Sequence, residues 1–146
     1  MMKSIWYKPF TLEDLNQTGV GTMVDFLGIA FIEIGDDYLK ATMPVTEKTK
    51  QPMGILHGGA NVVLAETLAS VAAMVVLNTE THYSVGLDIN ANHIRSVSEG
   101  IVTGITKPLH LGRTTQVWSI DIFNEKGSLT CTSRMTAAVI ERKKSE

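Results

Sequence analysis

The sequence predicts an α+β fold in which an antiparallel sheet curls around one long helix. Three observations predict it. Ala60–Leu77 is apolar at most positions, as expected of a helix buried on nearly all sides. Strand-like segments then follow one another to the end of the chain with no further helix. The remaining helices are too few and too short to cover the outer face of such a sheet, so association of subunits is expected. The 146 residues contain no repeat, linker or low-complexity stretch. One domain spanning residues 1–146, with a core from about residue 11 to 141, is therefore expected.

Thr11–Val20 reads as a short helix, with Thr11 as the cap and Glu13 and Asp14 in the first turn. Met23–Ile29 reads as a second short helix or turn. Phe31–Pro44 divides into two strands around Gly35-Asp36-Asp37. Thr46–Met53 is polar and reads as loop. After the long helix, Tyr83–His93 sets Val85, Leu87 and Ile89 on one face. Gly100–Lys107 is a weaker strand stopped by Pro108, and Thr114–Phe123 sets Trp118, Ile120 and Ile122 on one face. Asn124-Glu125-Lys126-Gly127 is a tight turn, and Leu129–Ile140 is the last strand. The charged tail from Glu141 onward is expected to fray.

With 13 basic and 15 acidic residues the net charge is -2, so no broad field favours nucleic acid as a partner. The longest apolar run, Val71–Leu77, is too short to span a bilayer, and the N-terminal residues lack an apolar run leading to a cleavage site. The lone Cys131 cannot form an internal disulfide and reads as a small strand hydrophobe. A cytoplasmic location is expected.

Chemistry concentrates in Gln51–Glu66, QPMGILHGGANVVLAE. His57 runs into Gly58 and Gly59, and the helix follows at once. Backbone N–H groups at that start can meet a developing oxyanion, and the absence of side chains lets a ligand approach. His57 can donate to a carbonyl, orient a leaving group or cap the loop. Glu66 is the one carboxylate within the apolar helix. Buried there, it would have a raised pKa, as a general base or nucleophile can. Ser70, one turn on, shares its face. Asn61 and Thr67 are also polar, but their faces are harder to assign.

His57, His82, His93 and His110 form no metal cassette, and no HExxH, CxxC, GxSxG or phosphate-loop pattern is present. Asn90–Arg95 and Lys107–Arg113 place basic residues at strand ends, where they are either solvated charges or a grip for a phosphorylated ligand.

Three segments, TKQPMGILHGGANVVLAET, VGLDINANHIRS and KPLHLGR, resemble the hotdog-fold acyl-CoA thioesterases over about residues 11–141. The resemblance is greatest to the branch acting on 1,4-dihydroxy-2-naphthoyl-CoA in menaquinone synthesis and to its sister that proofreads an aryl carrier protein in enterobactin synthesis. It implies a sheet wrapped around a central helix, and a homotetramer built as a dimer of dimers with active sites at the dimer interface. It implies no cofactor, coenzyme A being part of the substrate. The implied catalytic residues are Glu66, Gln51, His57, Gly58 and Ser70. The implied substrate contacts are Gly59, Asn92, His93, Arg95, His110, Gly112 and Arg113, with Met53, Val71, Met74 and Val75 shaping the acyl pocket. Acylated carrier protein is a further candidate substrate. A hotdog dehydratase or hydratase and a non-catalytic acyl-CoA-binding module are the competing readings.

Overall fold

The computed structural model describes residues 3–143. Its elements are α1 Leu12–Thr18, α2 Met23–Phe26, β1 Ala30–Ile34, β2 Leu39–Pro44, α3 Gly58–Val75, β3 His82–His93, β4 Ile101–Leu111, β5 Thr115–Phe123 and β6 Leu129–Glu141. All six strands join one antiparallel sheet in the order β1-β2-β4-β5-β6-β3. The long helix α3 packs on β2 through β6, which is the hotdog architecture.

The core follows from patterning. β5 alternates strictly, burying Gln116, Trp118, Ile120 and Ile122. These meet Leu64 and Leu68 of α3, both fully buried. Gly104 on β4 lets the helix come close, since a Cβ there would lie 2.6 Å from Leu68 Cδ1. One polar chain crosses the core. Trp118 Nε1 donates to Gln116 Oε1 at 2.9 Å, and Gln116 Nε2 donates to the Ala73 carbonyl at 3.3 Å. Cys131, on β6, is fully buried, and desolvation pushes its thiol up to about 11.

The structure departs from the sequence expectations in five places. α3 begins at Gly58 rather than Ala60, with His57 as its cap. The helix is not buried all round. Its sheet-facing stripe (Ala60, Asn61, Leu64, Ala65, Leu68, Ala69, Ala72, Ala73) is buried, whereas Val63, Val71 and Val75 are only half-buried and Glu66 is exposed. β4 runs through Pro108 to Leu111. Because β2 pairs with β4 only as far as Thr106, the distal part of β4 has a free edge that tolerates a residue without an N–H. In β3 a bulge at Leu87 switches which residues face the helix: Gly86 does so before it, Ile89, Ala91 and His93 after it. Val85 and Leu87 are therefore 40% and 62% exposed. The tail stays anchored at its start. Arg142 donates from its backbone N–H to the Thr81 carbonyl and from Nε to the Thr79 carbonyl, each at 2.8 Å. Residues 144–146 lie outside the described residues.

Candidate active site

The start of α3 distributes its donors unevenly. His57 is the N-cap, and its Nδ1 accepts the Gly59 N–H at 2.8 Å. The His57 carbonyl accepts from Ala60 and Asn61 at 2.9 and 3.2 Å. The Gly59 N–H is thus occupied, while the Gly58 N–H has no protein partner among the described residues. It stands at the positive end of an 18-residue helix. The histidine thus caps the helix, one of the three roles open to it on sequence alone.

Gly58 opens into a cleft of about 310 Å³ with Gln51, Ile55, Leu56, Asn61, His93, Ile94, Arg95, Ser96 and Val97. Gln51 Oε1 accepts the Met53 N–H, which leaves the Gln51 amide hydrogens for the cleft. Arg95 Nη1 donates to the Leu129 carbonyl at 2.9 Å, steadying the guanidinium at the rim.

Glu66 sits elsewhere. It lines a larger cleft of about 710 Å³ with Val63, Thr67, Ser70 and Val71 of α3. Leu15, Val24, Ile29 and Phe31 add apolar wall from α1, α2, the link after α2, and β1. Ser70 Oγ makes a weak 3.6 Å contact with Met135 Sδ. The Glu66 carboxylate reaches toward edge strand β3, where a Cβ on Gly86 would lie 3.1 Å from Oε1.

Gly58 and Glu66 lie eight residues apart on one helix, about 12 Å along its axis. The single chain therefore does not bring the amide and the carboxylate together. Nor does burial act on Glu66, since its side chain is exposed in the single chain.

The other expected contacts divide similarly. His93 and Arg95 join the Gly58 cleft. His110, Gly112 and Arg113 do not. The row through His93 runs by Cys131 and Ile122 to Gly104, so His110 stands about 17–20 Å farther along the sheet. Gly112 closes the β4–β5 turn, its N–H donating to the Thr115 carbonyl at 2.8 Å. Asn92 is exposed on the β3 edge. Val71 lines the Glu66 cleft, but Met53 (83% exposed), Met74 and Val75 do not. Met74 Sδ instead accepts the Ser84 N–H at 3.2 Å.

Residues 53–131 match the family model described as "Thioesterase superfamily". The chain is 58% identical over 136 residues to the 1,4-dihydroxy-2-naphthoyl-CoA hydrolase of Escherichia coli (strain K12), covering 93% of this chain and 99% of that protein. This chain belongs to the thioesterase superfamily. It is also 51% identical to the proofreading thioesterase EntH of Cronobacter sakazakii, over 93% of this chain and 98% of that one. Among solved structures, a mutant thioesterase from Pseudomonas aeruginosa superposes with a TM-score of 0.94 at 44% identity, covering 95% of this chain and all of that one. A thioesterase from Haemophilus influenzae gives 0.91 at 50% identity, covering 94% and 95%.

A thioesterase needs an activated water or nucleophile, an oxyanion donor and room for the acyl group. The chain carries a carboxylate beside a largely apolar cleft, and a free helix-terminal N–H beside a more polar one. Sequence reading missed the walls contributed by α1, α2 and β1. It also left Asn61, Val63 and Thr67 without roles. Val63 and Thr67 were open to inference, because they share a helical stripe with Glu66 and Ser70. Asn61 carried no such signal.

Proposed function

We propose that this thioesterase hydrolyses acyl-CoA thioesters with an aromatic acyl group, such as 1,4-dihydroxy-2-naphthoyl-CoA or benzoyl-CoA, and that its active site forms between two copies of the chain. The observation that carries the reading is Glu66 in an apolar cleft, its carboxylate reaching toward edge strand β3, with an unpaired Gly58 N–H in a second cleft out of its reach. In an antiparallel dimer joined at β3, Glu66 of one copy would face the Gly58 cleft of the other. The exposed Val85 and Leu87 and the unpaired backbone of this 12-residue edge strand support that pairing. A dimer of dimers, built from one domain per chain, completes the proposed assembly in a cytoplasmic setting.

The acyl group would lie between Val63, Val71, Leu15, Val24 and Phe31, and the cleft volume suits a small-molecule site. The name of the Escherichia coli relative supports a two-ring aryl group. The Gly58 N–H would stabilise the oxyanion, with Gln51 donating its amide hydrogens to the thioester and His57 holding the helix start in place. The thiol arm would leave along His93 and Arg95. His110, Gly112 and Arg113 would reach the nucleotide only across a subunit boundary. Glu66 either deprotonates water, whose oxygen bonds to the carbonyl carbon as the C–S bond breaks, or attacks that carbon itself. The anhydride formed by the second route is then cleaved by water. In both routes the thiolate leaves with the electron pair and takes up a proton. Single turnover in labelled water separates them, because a first acid product carrying no label, its second oxygen coming from Glu66, requires the anhydride.

The deciding experiment is Glu66→Ala assayed with benzoyl-CoA by thiol release. A fall of about 10²–10⁴-fold in kcat is expected, with the unfolding midpoint unchanged because the side chain is exposed. Near-full activity in the folded variant would overturn the assignment. The proofreading relative supports a second substrate, a misacylated aryl carrier protein, and kcat/KM on the two thiol carriers ranks them. Alkene formation from a 3-hydroxyacyl-CoA would instead favour the dehydratase reading.

A further inference from the structure

Asn61 is a polar residue on the buried stripe of α3, only 5% exposed. Its Nδ2 lies 3.3 Å from His93 Nδ1, and its Oδ1 is buried with no partner among the described residues. A buried amide acceptor left unpaired is costly, so its retention calls for an explanation. The His93 ring lies directly over the start of the helix, where a Cβ on Gly58 would be 2.8 Å from His93 Nε2. Asn61, Gly58, His93 and Gln51 line the same cleft. With the amide turned this way its Nδ2 can only donate, which makes Nδ1 the acceptor and puts the proton of a neutral ring on Nε2.

We propose that Asn61 is a positioning residue. It locks the His93 ring over Gly58 in the Nε2–H form, so that this N–H stands beside the free Gly58 amide as a second donor toward the bound thioester. The lock itself rests on the contacts above, and the donor role rests on the proposed hydrolysis. Position 58 serves twice in this arrangement, through an unpaired N–H that any residue but proline would offer, and through the lack of a side chain, which would displace the imidazole. Asn61 Oδ1 then has a role too. Rotation of the amide would present it to Nδ1 and drive the ring proton there, so the orientation of the amide selects the tautomer.

Nitrogen-15 spectra of the histidine rings in the full-length protein, with His93→Gln identifying the His93 signals, test the lock without substrate. The wild type is expected to carry the proton on Nε2. Asn61→Ala should give a mixture, and Asn61→Asp, whose carboxylate accepts from Nδ1–H, should move the proton to Nδ1. With benzoyl-CoA, Asn61→Ala and His93→Gln should each lower kcat/KM about tenfold, and the double variant should fall no further. A wild-type ring protonated at Nδ1, or an Asn61→Ala ring that stays entirely in the Nε2–H form, would overturn the lock. Losses that simply multiply in the double variant would overturn the donor role. Asn61→Ser is a second variant should alanine impair folding. Because the spectra are read without turnover, they judge the lock even if the hydrolytic assignment fails.

Discussion

Several residues act here through the space they leave empty. A side chain at Gly86 would press on the Glu66 carboxylate from the edge strand. Its backbone is ordinary extended strand, with no positive φ to forbid substitution. Gly86→Val should therefore leave the unfolding midpoint nearly unchanged and lower kcat by about tenfold or more, since small displacements of a reacting group are expensive. Full activity in that variant would place the working carboxylate elsewhere. The glycine pair, Glu66 and Ser70 stood out in the sequence because their chemistry contradicts their surroundings. Asn61 did not, because its meaning depends on His93, 32 positions away in the chain. The uneven use of the two glycine N–H groups was equally hidden, since it turns on which way the His57 ring points.

At the scale of elements, α1 and the β5–α3 contact invite measurement. Helix α1 supplies Leu15 to the cleft beside Glu66 and is held by a full capping box between Thr11 and Asp14. Thr11→Ala should cost about 1 kcal/mol in chemical denaturation. The Thr11 backbone N–H, and then its hydroxyl, hold the Asp14 carboxyl below its ordinary 3.8. A lowered folded value means that the stabilisation is complete above the unfolded carboxylate value and disappears as pH falls through the lowered one. The gap in thermal midpoint between wild type and Asp14→Asn should accordingly be widest above about pH 5 and close in stronger acid. Gln116→Leu would strand the Trp118 indole N–H in the core, at an expected cost of about 1–3 kcal/mol in the same denaturation assay. Element identity was legible throughout because strand alternation and the apolar helix are local patterns. The errors share a cause: Pro108, the Leu87 bulge and the open face of α3 are decided by neighbouring strands, or by their absence, which no local window contains.

For the whole molecule, the proposed shared site would make activity and association one property, because Gly58 and Glu66 stand too far apart within one chain. A charge on the exposed edge of β3, as in Leu87→Arg, should shift the protein toward monomer in concentration-dependent sedimentation. Thiol release should fall in step with the lost dimer. A monomer with undiminished turnover would overturn the shared-site proposal. The apolar helix that holds Glu66 is long and apolar enough to cross a membrane, yet one face of it is spent against the sheet. On that same sheet the only cysteine is sealed inside β6, its thiolate form suppressed at neutral pH. The native enzyme should therefore be silent toward aromatic disulfide reagents. Colour developed during turnover then counts liberated coenzyme alone, with no background to subtract from the catalyst.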